Sequence, residues 1–132
     1  MAIRDLLHRT MVMPSLYPAA RTNGTVNGTA ADLRGYDAVM IVVSFGAWTD
    51  GTHTPSVQHS VDNSTYTTCA ASDLDGTLTA VSSSGGSNTV QQVGYIGAQR
   101  YVRVVMTTSG ATTGALSSAS VIAGAPRNAP VQ

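Results

Sequence analysis

Gly94-Tyr95-Ile96-Gly97-Ala98-Gln99-Arg100-Tyr101-Val102-Arg103-Val104-Val105-Met106-Thr107-Thr108-Ser109-Gly110 decides the fold class of this chain. Glycines open and close the stretch, and β-branched and aromatic residues fill it with arginines interleaved. Side chains alternate across a strand, so Val102, Val104 and Met106 take one face and Tyr101, Arg103 and Val105 the other. The pattern predicts a long strand with one apolar face and one face carrying an aromatic and a charge.

Working outward, the composition agrees with that strand. All seven positive charges are Arg and all seven negative charges are Asp; Lys and Glu, common on exposed helix faces, are absent. Seventeen Thr, fourteen Ser and fifteen Val, punctuated by thirteen Gly, make strand-and-turn composition. A length of 132 residues suits one domain. The net charge is zero with 11% charged residues, which disfavours direct nucleic-acid binding and favours association. Cys69 is the single cysteine, so no intrachain disulfide can form. The charged start Met-Ala-Ile-Arg-Asp is unlike a signal peptide, and no run reaches the length of a membrane span, so synthesis and folding in a cytoplasm are expected.

Along the chain, residues 1–22 stand apart, with three of the five Met and two of the five Pro. Met11, Val12, Met13, Leu16 and Tyr17 are too apolar for a solvated tail, while Pro14 and Pro18 oppose long regular structure. Either a first strand packed on the domain or an extended arm reaching a neighbour accounts for them. The expected division is an arm over 1–22 and a sandwich over 23–132 with a short tail. Thr29 to Leu33 reads as a short strand. Ala38 to Phe45 is continuously apolar and reads as a central strand covered on both faces. Trp48 to His53 reads as a turn. Strands then follow near Val57–Val61, Thr65–Ala70, Thr77–Val81, Thr89–Ile96 and Gly114–Ala123, with Pro126 and Pro130 stopping further pairing. About eight strands at this spacing predict an all-β antiparallel sandwich of jelly-roll type, with an immunoglobulin-like sandwich as the alternative.

Motifs for chemistry are sparse. His8, His53 and His59 lack metal-ligand spacing, and His59, sharing a face with Val57, reads as a hydrogen-bonded core residue. Asp73-Leu74-Asp75-Gly76 and Asp62-Asn63-Ser64 read as turns in which Asp caps backbone amides rather than as calcium loops. There is no Gly-x-Ser-x-Gly elbow, and Cys69 has no base beside it in sequence, so no catalytic residue, metal or cofactor is expected. Trp48 reads as core packing, or as an anchor on a partner or a sugar.

Trp48-Thr-Asp-Gly-Thr, Val57-Gln-His-Ser-Val-Asp-Asn-Ser-Thr-Tyr66, Gly94-Tyr-Ile-Gly-Ala-Gln-Arg-Tyr-Val-Arg-Val104 and Gly124-Ala-Pro-Arg-Asn-Ala-Pro130 together resemble the head decoration, or cement, proteins of tailed bacteriophages. The resemblance runs over about residues 36–130 and leaves the first 22 uncovered. It implies a jelly-roll-like fold, no catalysis, and binding as dimers or trimers on the outside of a capsid, with the major capsid protein as partner. The expected contact residues are Met11, Met13, Leu16 and Tyr17 near the start and Pro126, Arg127 and Pro130 near the end, together with Trp48 and Arg103. Arg103 is expected to pair with an Asp on the sandwich surface, and an edge strand to add to a neighbour's sheet. Arg100-Tyr-Val-Arg103 also resembles the late strand of discoidin-like sugar-binding jelly rolls. A head–tail connector, a tail or fibre part, or a carbohydrate-binding module using Trp48 are the alternatives.

Overall fold

The stretch from Gly94 to Gly110 folds as the end of one strand, a connecting loop and a whole second strand. A computed structural model describes residues 5–127. Its ten strands are β1 (Met11–Arg21), β2 (Gly24–Asn27), β3 (Ala31–Asp32), β4 (Tyr36–Trp48), β5 (Thr52–Ser60), β6 (Thr67–Thr68), β7 (Leu74–Asp75), β8 (Thr89–Tyr95), β9 (Tyr101–Ser109) and β10 (Ala115–Pro126). Gly94 and Tyr95 close β8, and the next residues carry the chain across to β9 in the other sheet. The crossing needs Gly97, because a Cβ there would sit 2.6 Å from the Tyr95 hydroxyl.

Two antiparallel sheets result, making a β-sandwich. Sheet A has the order β1-β10-β4-β8-β7, and sheet B the order β2-β9-β5-β6 with β3 also paired to β9. The pairings are nested: β1 with β10, β2 with β9, β4 with β8, and β5 with β6. The chain is thus one long hairpin folded over, so that β10 also meets β4 and β9 also meets β5.

The alternation expected for β9 holds for Val102, Val104 and Met106 and for Tyr101 and Arg103, but Val105, on the outer face opposite Ser56, is itself buried at 3% exposure. Val102, Val104 and Met106 are buried between the sheets, against Ile41, Val43 and Phe45 of β4 and Val121 of β10 in one core cluster. Tyr101 and Arg103 point outward, opposite Ser60 and Gln58 of β5. Arg103 is not paired with an Asp. Its Nε and Nη2 donate to Gln58 Oε1 at 3.0 and 2.7 Å, and its guanidinium lies 3.8 Å from the centre of the Tyr66 ring. The cross-strand neighbour is a glutamine, so the cation is held by an amide and an aromatic face.

Three expectations are corrected. First, β4 is covered on one face only. Ile41, Val43 and Phe45 are buried, whereas Met40, Val42 and Ser44 are half-buried on the outside of sheet A. Second, Met11 to Arg21 is a strand of the sandwich rather than an arm. β1 pairs along β10 from Met11–Ala123 to Arg21–Ala115. The prolines are accommodated because β1 is an edge strand whose register slips between Pro14 and Leu16 and again before Ala19. Third, β10 pairs as far as Pro126, opposite Tyr36, instead of stopping short of it. The expected strand Thr65–Ala70 shortens to β6, and Thr77–Val81 keeps a single bridge from Val81 to His53.

The first slip in β1 turns Ser15 toward sheet B. Its hydroxyl accepts from Val104 N at 2.9 Å and donates to Thr29 O at 2.9 Å, and its own carbonyl accepts from Thr29 N at 2.7 Å. Ser15 is fully buried and fastens the edge of sheet A to the edge of sheet B. Gly28 must be glycine for this approach, since a Cβ there would overlap the Ser15 hydroxyl and lie 2.5 Å from Val104 O.

Candidate interaction surface

At one end of the sandwich the β4–β5 and β9–β10 loops are clasped by a carboxylate. Asp50 accepts from Thr112 N at 3.1 Å, Thr113 N at 3.2 Å and Gly114 N at 2.6 Å. Those amide hydrogen bonds, Gly114's above all, hold the Asp50 carboxyl below its ordinary value. Trp48 packs against the core and donates Nε1–H to Gly51 O at 2.9 Å, so it serves this loop rather than offering a free ring. His53 lies in β5, fully buried, instead of in a turn. Its Nδ1 is 3.1 Å from Thr108 Oγ1 and its Nε2 3.0 Å from Asp50 O. His59 is the hydrogen-bonded core histidine expected, with Nδ1 2.9 Å from the Tyr95 hydroxyl.

Asp62 caps its turn as expected, accepting from Ser64 N at 2.9 Å and Thr65 N at 3.0 Å with Asn63 at φ 60°. The capped turn expected over Asp73–Gly76 is not formed: Asp73 ends a 3-10 turn, Leu74–Asp75 is β7, and the segment is held by backbone bonds such as Ile96 N to Asp73 O rather than by an Asp side chain. Among the described residues, no three His, Cys, Asp or Glu side chains gather as a metal site.

Cys69 is half-buried beside Leu74 and Leu78, and burial pushes its thiol up to about 11. At pH 8 about one molecule in a thousand then carries the thiolate, the form that attacks an electrophile. We expect native protein to react with iodoacetamide at pH 8 at least about tenfold more slowly than urea-unfolded protein, measured by mass spectrometry. Equal rates overturn this.

The opposite end carries Met11, Pro126 and Arg127 of the residues expected to meet a partner, while Trp48 lies at the first end and Arg103 on the outer face of sheet B. β1 begins and β10 ends there side by side, Met11 facing Ala123. Arg127, just past β10, donates Nε and Nη2 to Asp37 Oδ1 at 3.1 and 3.0 Å. Arg100 forms a fork with Asp32, at 2.8 Å to each oxygen, and that fork holds the Asp32 carboxyl below its ordinary value. These pairs flank a cleft of about 760 Å³ bounded by the start of β4, the β8–β9 loop and Arg127. Ile96 stands exposed on the cleft, and Leu6 and Leu7 are exposed in the turn before β1. Met11 and Met13 are half-buried and Tyr17 is exposed, but Leu16 lies in the core and is closed to any partner. Pro130 lies outside the described residues.

A second surface escaped sequence reading. Register across sheet A places Val12, Ile122, Met40 and Gly94 in one row on the outer face. The next rows hold Pro14, Ser120, Val42 and Gln92, then Ser118, Ser44 and Val90. Leu116 follows, its Cβ 3.0 Å from where a Cβ of Gly46 would stand. Across β1, β10, β4 and β8 these rows hold no charged side chain; Asp75, which continues the first row beside Gly94 on β7, marks the margin. Val12, Val90 and Leu116 are 55%, 58% and 49% exposed. The alternation was visible in each strand, but only the strand order brings the outward residues together.

No known protein family, curated protein or solved structure matches the chain.

Proposed function

We propose that this chain is a non-enzymatic structural protein of a phage virion, a decoration protein that binds the outside of the head and stabilises it by bridging capsid subunits. The observation that carries the reading is the pole where β1 starts and β10 ends. Exposed Ile96 lines a cleft there that is flanked by paired arginines, and exposed Leu6 and Leu7 lie in the turn that leads into β1. Such a pole suits a protein surface with an apolar centre and a polar rim. The nested pairing of β1–β10, β2–β9, β4–β8 and β5–β6 supports a jelly roll as the form of the sandwich, because that fold is a long hairpin rolled into two sheets. A protein that binds only the assembled shell stabilises it by mass action, and many repeated sites make modest contacts sufficient.

The test mixes purified protein with shells that lack it. We expect co-sedimentation and a raised melting temperature of the shell. Ile96→Asp should weaken binding by at least about tenfold, since an anchor residue commonly contributes more than 1.4 kcal/mol. Absence of binding across a salt series overturns the reading.

A further inference from the structure

We infer that the outer face of sheet A is the docking site for a second copy of this chain, sheet face on sheet face. Three observations select that occupant. The part of the face built by β1, β10, β4 and β8 carries no charge, in a chain with seven Arg and seven Asp, and the one acid of its rows, Asp75 on β7, stands at the rim. It can therefore meet its own copy with no like-charge pair and no ion buried without a partner. A nucleic acid or a strongly charged protein would leave its own charges unpaired against it.

Its relief suits a sheet. Ser44, Ser118 and Ser120 keep the middle low, so a second sheet can approach to about 10 Å, the spacing of packed sheets. Apolar groups stand at both ends, Val12, Ile122 and Met40 at one and Leu116 and Val90 at the other. A two-fold axis lying across the strands sets each end of one copy on the opposite end of its partner, an isologous contact.

The size is sufficient. Four strands about 4.8 Å apart, followed from Leu116 to Gly124 at about 3.3 Å per residue, give a projected face on the order of 500 Å². Two copies together then bury about 1,000 Å², the lower bound for a specific interface. The outer face of sheet B offers no such match, since Arg103, Gln58, Thr54 and Thr107 make it polar with a cation at its centre.

This inference deepens the decoration reading by giving its homo-oligomer a surface, and it is tested without a shell. Sedimentation velocity of the purified full chain, up to about 100 µM, should give twice the chain mass. Ser120→Arg and Val42→Glu each bury an unpaired charge in the contact and should weaken the dimer by at least about 100-fold. Thr54→Arg, on the outer face of sheet B, should leave it intact. Circular dichroism melting identifies the folded variants, and either of the two disruptive substitutions suffices. A monomer at every concentration, a dimer indifferent to both changes, or one broken by Thr54→Arg overturns the inference. A monomeric chain that still binds shells sinks this inference and spares the decoration reading; a dimer that binds no shell does the reverse.

Discussion

Gly114→Ala should remove about 3–5 kcal/mol of folding stability, read as a fall in the urea midpoint. Two costs meet at this residue. Gly114 has φ 84°, in the left-handed region that side chains resist. A Cβ there would also overlap the Arg21 carbonyl oxygen and stand 2.7 Å from its carbon. Both are main-chain atoms at the end of β1, so the neighbour cannot swing away. Gly110 supplies the control. It has φ 67° but nothing within 4 Å of an added Cβ, so Gly110→Ala carries the backbone cost alone, about 1 kcal/mol. Equal losses in the two variants would show that β1 yields at Arg21. The predicted loss at Gly114 is a large share of the 5–15 kcal/mol that holds a typical domain.

The same loop carries an acid dependence. The Asp50 carboxyl is held below its ordinary value of 3.8 by the amides of Gly114, Thr112 and Thr113. A depressed carboxyl contributes fully above the unfolded value and loses its contribution as pH falls through the folded one. Stability should therefore fall below about pH 4, and Asp50→Ala should flatten the part of that slope owed to this loop.

The class of fold was legible because it rests on local signals. Val102, Val104 and Met106 alternate with Tyr101 and Arg103, and one buried face enforces that period whatever strand lies alongside. Strand order was not legible, because β1 pairs with a strand about a hundred residues later and no local residue encodes the partner. Ser15 illustrates the gap. Nothing in a serine beside Pro14 announces a role, yet its hydroxyl receives the amide of Val104, 89 residues away. His53 follows an Asp-Gly turn and reads as part of it, but β5 has begun at Thr52 and both ring nitrogens find partners inside.

The misreading of Ala38 to Phe45 is informative for the candidate site. A continuous apolar run signals cover on both sides, and within one chain the core takes the inward face alone, Ile41, Val43 and Phe45 with Val39 packed against them. Met40 and Val42 are left half-exposed beside Ile122 and Ser120. The run is the composition of a doubly covered strand on a singly covered sheet, which is the condition that a second copy on that face would relieve.

Leu16→Ala should cost about 3 kcal/mol, while Tyr17→Ala should change stability by no more than about 0.5 kcal/mol. The contrast separates a strand from an arm. Leu16 is 2% exposed and belongs to the cluster with Val104 and Val121, so truncation removes a buried isobutyl group and leaves a cavity. Tyr17, its neighbour in sequence, is 61% exposed. In an arm lying free of the domain, neither change would move the melting curve of the isolated protein. Ser15→Ala adds a polar probe of the same edge. It leaves Val104 N–H and Thr29 C=O without their partner in a dry place, at about 1–3 kcal/mol. Thermal melts of the three variants at one concentration decide the matter: a silent Leu16→Ala would detach β1 from the sandwich, whereas the predicted order Leu16, Ser15, Tyr17 makes this strand the edge that ties the two sheets together.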